Sequence, residues 1–376
     1  VKYFIHINIF VKYHVNIGKL LVRGLSKFRT WTICKGGYAQ GKRMKELNLQ
    51  LRSAVNGAWR ARLVGNGGRT RDLLLASDVE VRPPVALDGL AAAALPVAMR
   101  GKFDVLRVHG PVTHGALWRL LEYARIWHLW SPEQFHPTRI EAQSVLNGQA
   151  PDAAAPALVA WSGSVHSSYT LVRMLEHQVA GAPAVGGVVR ISGIRPGDDD
   201  GLGMARSIIE SMGLRFHHVR TNALEAGLID QNLGRLGVVA SAMHLLSGNY
   251  GWGIHARGYP LASQMMFPRP GPAFPDLFSG DGFAMRADGG VAPFPLVADV
   301  LARYPALAGM AYATISRRPR AEQMLLRLAF RAAGVKSKTD NWRDLLDAIF
   351  LPVGNGMVHC EAKGICDHWM GRGDGV

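Results

Sequence analysis

The sequence predicts an α/β protein, a parallel sheet flanked by helices, preceded by a small α+β domain. Two observations carry that prediction. Beyond about residue 150, apolar stretches of strand length alternate with stretches of helical periodicity, the order that builds parallel βαβ units. The chain has 376 residues, 48% hydrophobic and 19% charged, enough to bury a sizeable core in about two or three folding units. Disorder throughout is thereby excluded. So are a spanning helix, a long coiled coil and a solenoid: no run reaches roughly 18 apolar residues, Pro and Gly are dispersed, and no motif recurs with a period of about 20–50 residues.

Charge divides the chain unevenly. The formal balance is +15, but residues 1–43 hold nine Lys or Arg and no Asp or Glu, which leaves 34 basic against 28 acidic residues in the remainder. Residues 1–43 are also rich in Ile, Asn, Lys, Phe and Tyr, whereas the rest is rich in Ala, Gly, Arg and Pro. Val1, Tyr3, Ile5, Ile7, Ile9, Val11, Tyr13, Val15 and Ile17 alternate with strand period, over a length far beyond the usual five or six or so residues of a strand. Residues 1–43 are therefore expected to be a basic extension foreign to the folded unit, with Met44 opening the ordinary sequence. A basic membrane-surface or targeting arm is the competing reading. A cleaved secretory signal fits poorly, because Lys and His interrupt the apolar run.

From Met44 the elements follow in order. Leu87, Leu90, Ala91, Ala94, Leu95, Ala98 and Met99 recur at helical spacing over 86–100, with Pro96 as a kink and Gly101 as the stop. Phe103 to His109 alternates as a strand, Gly110-Pro111 turns, and Ala116 to Trp130 reads as an amphipathic helix. Residues 44–150 are thus expected to form the small α+β domain. The run 147–156, Asn-Gly-Gln-Ala-Pro-Asp-Ala-Ala-Ala-Pro, reads as a linker. A second domain over 151–335 then reads strand 157–161, helix 167–178, strand 185–192, helix 202–212, strand 215–220, helix 232–246 and an apolar piece at 252–254. A divergent or truncated tail covers 336–376.

Cys34, Cys360 and Cys366 cannot make a disulfide framework in a chain this long, so a reducing cytoplasm is the expected compartment. Cys360 and Cys366, with His359 and His368 beside them, do not have a common zinc spacing and are read as solvated tail residues; no metal site is assigned.

The chemistry is expected in one loop. The strand Leu158-Val159-Ala160-Trp161 runs into Ser162-Gly163-Ser164-Val165-His166-Ser167-Ser168 and then a helix. A strand, a small-residue loop and a helix N-terminus aim backbone N–H groups and the helix dipole at one place, which favours an anion. Hydroxyls of Ser162, Ser164, Ser167 and Ser168 add donors. The competing reading is that Ser167 or Ser168 caps the helix.

This stretch resembles the pyrophosphate-binding loop of the PP-loop ATP pyrophosphatase superfamily, Ser-Gly-Gly-x-Asp-Ser. Three further segments strengthen the resemblance to an uncharacterised bacterial PP-loop-like group: Val108-His109-Gly110-Pro111-Val112, His244-Leu245-Leu246, and Pro275 to Ser279 with Asp281-Gly282. Ile191-Ser192-Gly193-Ile194 stands where such proteins end their second strand, and Thr221-Asn222 where they end the third. The resemblance implies an adenine nucleotide α-hydrolase-like fold. It also implies ATP as the ligand, with Mg²⁺, and an adenylating activity of ligase, amidotransferase or sulfur-transfer type acting on an unknown small molecule. Ser162, Gly163, Ser164, His166, Ser167 and Ser168 would take the pyrophosphate, and Gly193 and Ile194 would lie along the adenine.

Two positions depart from the pattern. Ser164 replaces the second Gly, and His166 replaces the Asp that in the family helps hold magnesium-pyrophosphate; imidazole is a poor ligand for Mg²⁺. Asp198-Asp199-Asp200 is one candidate replacement for that carboxylate, although a cap for the next helix is its preferred reading. His217 and His218 are expected in a strand, only one facing the core. No residue stands out as a general base. The alternative is a catalytically inactive descendant acting as a binding or scaffold module. Binding of tRNA is not favoured, because the basic excess sits in 1–43 and the body lacks a basic stripe interleaved with aromatics.

Overall fold

A computed structural model describes residues 44–177, 181–229, 234–256, 275–288, 294–317 and 320–335. The predicted N-terminal extension, the tail from 336 and all three cysteines lie outside the described residues. The compact unit begins at Met44, where the composition changes.

The described part of the chain opens with an antiparallel meander that the hydrophobic periodicity does not mark: β1 (Glu46–Val55), β2 (Ala58–Gly65) and β3 (Thr70–Ser77). Its first turn is Asn56-Gly57, both at positive φ (48° and 74°), the two-residue geometry that matches strand twist. Leu47, Leu49, Ala61, Leu63, Leu73 and Leu75 alternate onto one buried face and pack against α1 (Asp88–Arg100), which continues through Pro96. The opposite face carries ion pairs, Arg62 with Asp72 at 2.7 Å and Arg107 with Glu46 and Glu141 at 3.1 and 2.9 Å.

β4 (Val105–Thr113) lies parallel to β1, α2 (His114–Trp130) follows directly, and β5 (Arg139–Leu146) closes this edge parallel to β4. The expected turn at Gly110-Pro111 does not form. The strand runs through it with a register slip between Val108 and Pro111 against β5, the kind of irregularity that tolerates a residue with no N–H. Thr113 then caps α2, its Oγ1 accepting from the Ala116 amide at 3.3 Å, so the helix begins two residues before the predicted start.

Beyond 156 the predicted alternation is present: β6 (Ala157–Ala160), α3 (Val165–Leu175), β7 (Val185–Ser192), α4 (Leu202–Ser211), β8 (Arg215–Thr221), α5 (Arg235–Leu245) and β9 (Trp252–Ala256). β10 (Ala284–Asp288), α6 (Phe294–Ala302), α7 (Pro305–Ala313) and α8 (Arg320–Ala332) complete the described chain. The described strands form one ten-stranded, mostly parallel sheet, ordered β10-β9-β6-β7-β8-β3-β2-β1-β4-β5. The two predicted domains therefore share a sheet. β3 pairs antiparallel with β8, and the Asn222 side chain extends the seam by accepting from the Leu74 amide (2.8 Å) and donating to the Asp72 carbonyl (2.9 Å).

β6 to β10 run parallel to one another. Helices cover both faces of this half. Leu158, Val189 and Ile191 belong to the core that includes α1 and α5, while Ala157, Val159 and Val188 belong to the core that includes α3, α6, α7 and α8. This is an α/β protein of Rossmann-like arrangement, and its carboxyl strand ends gather the loops after β6, β7 and β8.

Candidate functional site

The loop after β6 turns sharply at Gly163, whose φ of 75° is left-handed and whose missing side chain leaves room for the Met310 sulfur of α7. Ser164 stands where the motif has its second Gly, and its backbone is ordinarily extended (φ −76°, ψ 163°), so serine is unstrained there. It occupies the position before α3, but its side chain does not cap the helix. Neither Ser167 nor Ser168 caps. The first turn of α3 therefore presents its amides without a side-chain cap.

Three hydroxyls converge at that opening. Ser162 Oγ lies 2.9 Å from Ser164 Oγ and 3.2 Å from Ser167 Oγ, and Ser164 Oγ lies 3.1 Å from Ser167 Oγ. Ser167 Oγ also accepts from the Ser162 amide at 3.3 Å and donates to the Ser164 carbonyl at 3.0 Å. Ser162 is exposed and Ser164 half-buried, so the cluster opens to solvent from above while Ser167 forms its buried floor.

Two of the expected loop contributors point elsewhere. Ser168 is fully buried, and its Oγ accepts from the Trp161 indole at 3.0 Å, tying the strand end to the helix. His166 is buried with its ring 6.3 Å from that of Phe294 on α6, which places imidazole in the packing between helices. It supplies no carboxylate for a magnesium ion, and the Mg²⁺ chemistry implied by the resemblance has no fitting ligand at this position.

Gly193 is at φ 84°, and a Cβ there would overlap the Thr221 carbonyl; glycine lets the β7 loop lie against the end of β8. The Ile194 amide donates to the Asp198 carboxylate (3.2 Å), as does that of Arg195 (2.6 Å), so Asp198 shapes this loop from within. Burial raises its pKa, against the lowering by those amides and by Arg195. The Asp198 and Asp200 carbonyls accept from buried Arg190 at 3.0 and 2.6 Å. The expected cap is absent: α4 starts from left-handed Gly201 with no side-chain cap. Among the described residues no three His, Cys, Asp or Glu side chains gather as a metal set.

The positive charge of the site was not legible in the sequence. Arg235 opens α5, and burial pushes its pKa down to about 10, with the Arg195 charge adding to the effect and Asp198 opposing it. His255 lies on β9 beside Ala160 of β6, and burial, reinforced by Arg195, pushes its pKa down to about 4. Arg235 Nε and His255 Nδ1 are sealed from solvent with no hydrogen-bond partner among the described residues. Arg195, Arg235 and His255 thus share one field at the carboxyl ends of β6, β7 and β9. His217 and His218 both lie in β8; His217 is buried against the Tyr250 hydroxyl (2.7 Å), while His218 meets Ser192 at 2.8 Å.

The other segments of the resemblance meet at the opposite end of the sheet. Asp88 accepts from the amide and hydroxyl of Thr113 (2.8 and 2.7 Å), and the Asp281 amide donates to the same hydroxyl at 3.2 Å. The Asp281 carboxylate accepts from the amides of Gly115 and Gly148, each at 3.2 Å, and His244 Nε2 meets the Phe278 carbonyl at 2.9 Å. This network binds the 275–283 loop to α2 and α5. It is an internal tie, far from the serines, because β4 runs antiparallel to β6 and ends at the other rim.

Fold and loop together define the class, an α/β protein with a serine-lined loop at the carboxyl end of a parallel strand. Compared with known proteins, the chain matches no family model, and no curated protein or solved structure is significantly similar to it.

Proposed function

We propose that the protein binds ATP at the carboxyl ends of β6, β7 and β9, in the manner of a PP-loop protein. The observation that carries this reading is the triangle of Ser162, Ser164 and Ser167 hydroxyls, 2.9–3.2 Å apart, at the uncapped opening of α3. Hydroxyls and first-turn amides donate to polyphosphate oxygens, and the helix dipole favours their charge. Arg195 and Arg235 supply cationic charge nearby. In adenylation, an oxygen of a carboxylate, amide or base would attack the α-phosphorus, the bond to the β-phosphate oxygen would break, and pyrophosphate would leave into the serine cluster. The protein's share is orientation and charge stabilisation.

Calorimetric titration of ATP into the full chain tests binding, with Mg²⁺ and with a chelator. Micromolar binding weakened about tenfold by Ser162→Ala with Ser164→Ala supports the reading; no heat and no thermal shift would sink it. A second reading, a binding module without turnover, is favoured by the burial of His166 against Phe294 in place of the family's carboxylate. Pyrophosphate release during incubation with ATP and candidate acids separates the two.

A further inference from the structure

A cleft of about 360 Å³ opens beside the C-terminal turn of α1, several strands along the sheet from the serine loop, and plays no part in the reading above. Its volume lies in the range of ligand pockets, about 300–1,000 Å³. Leu47, Leu63 and Leu228 form a buried apolar floor, and the Phe103 ring forms a wall against Gly65 and Gly101, where any Cβ would press on it.

Charge over this floor is of one sign. Arg69, Arg71 and Arg100 line the cleft, and none of its lining residues is acidic. Two of the guanidiniums are held in place. Arg71 donates to the Gly227 carbonyl across the mouth, and Arg100 lies 6.0 Å over the Phe135 ring. A guanidinium has five N–H donors, so the bond to Gly227 leaves Arg71 capacity for a further acceptor. Arg100 also stands in the last turn of α1, where its charge offsets the negative end of the helix dipole that would repel an anion.

We propose that this cleft binds a small amphipathic organic acid, its carboxylate on the arginines at the mouth and its apolar body on the leucine floor. Arginine pairs with a planar carboxylate through two parallel N–H donors. A monoanion also loses less solvation than a phosphate dianion beside so much apolar surface.

Octanoate is the probe, with 1-octanol as the uncharged control and octyl phosphate as the dianionic one, each titrated into the full chain. Octanoate is expected to bind at least tenfold more tightly than 1-octanol and no more weakly than octyl phosphate. Arg69→Gln, on an exposed turn, should weaken octanoate at least fivefold with an unchanged thermal midpoint, and Val97→Phe should abolish binding by filling the cleft. If Val97→Phe fails to fold, Arg69→Gln decides alone. Equal binding of octanoate and octanol, tighter binding of octyl phosphate, unchanged affinity in Arg69→Gln, or no octanoate binding would each overturn the proposal.

Discussion

The two halves of the sheet solve the same burial problem differently. β6 to β10 are parallel and covered by helices on both faces, so β6 and β7 read as nearly continuous apolar runs. β1 to β3 are antiparallel and bury one face, so from Glu46 to Leu51 every second residue of β1 is apolar and its neighbours are Glu46, Asn48 and Gln50. The difference is general to such sheets. It teaches where function can be placed: the two-sided half leaves only its strand ends open, and there the serine loop lies, whereas the one-sided half exposes a polar face knitted by ion pairs.

Five substitutions would break or sharpen this contrast. Gly193→Ala should have the largest effect, at least about 4 kcal/mol lost in denaturant titration. The left-handed φ disfavours Ala, and the new Cβ overlaps the Thr221 carbonyl, so backbone must move at the β7–β8 mouth. Leu158→Ala in the two-sided half should cost about 3–5 kcal/mol, while Asn48→Ala on the open face of β1 should stay within about 0.5 kcal/mol. Equal losses at the two positions would end the distinction.

Acidification comes next. Burial holds the pKa of His255 down at about 4, below the ordinary histidine value of about 6.5, so the unfolded chain binds the extra proton. Its contribution is complete above about pH 6.5 and is lost as pH falls toward about 4, worth about 3 kcal/mol. Denaturation midpoints measured across that window should fall in the native protein and fall less in His255→Gln. A second small effect belongs to the open face. Arg107→Ala removes the pairs to Glu46 and Glu141, is expected to cost at most about 1 kcal/mol, and should do so less in high salt.

Much of the second half was legible because its signals are local. The alternation from β6 to α5 and the ends of β8 at Thr221 and α5 at Leu245 follow the hydrophobic periodicity closely. The three-stranded start was missed although Asn56-Gly57 is a strong hairpin signal, because Arg, Asn, Asp and Gln interrupt the apolar residues of β1 to β3. Gly110-Pro111 misled for a related reason: a local turn signal was overridden by pairing on both sides of β4. Within the loop, residue type could nominate four serines and a histidine but could not say which way each faced. Packing turned Ser168 to Trp161 and His166 to Phe294.

The sequence by itself determined the parallel order of the second half and the loop where strand meets helix, since both arise from interactions between near neighbours. Only the tertiary structure decided that the two halves share one sheet through β3 and β8, that Arg195, Arg235 and His255 stand in one field, and that three arginines ring an apolar cleft. These juxtapositions join residues far apart in the chain, and they form because burying apolar faces outweighs the chain entropy of bringing distant segments together.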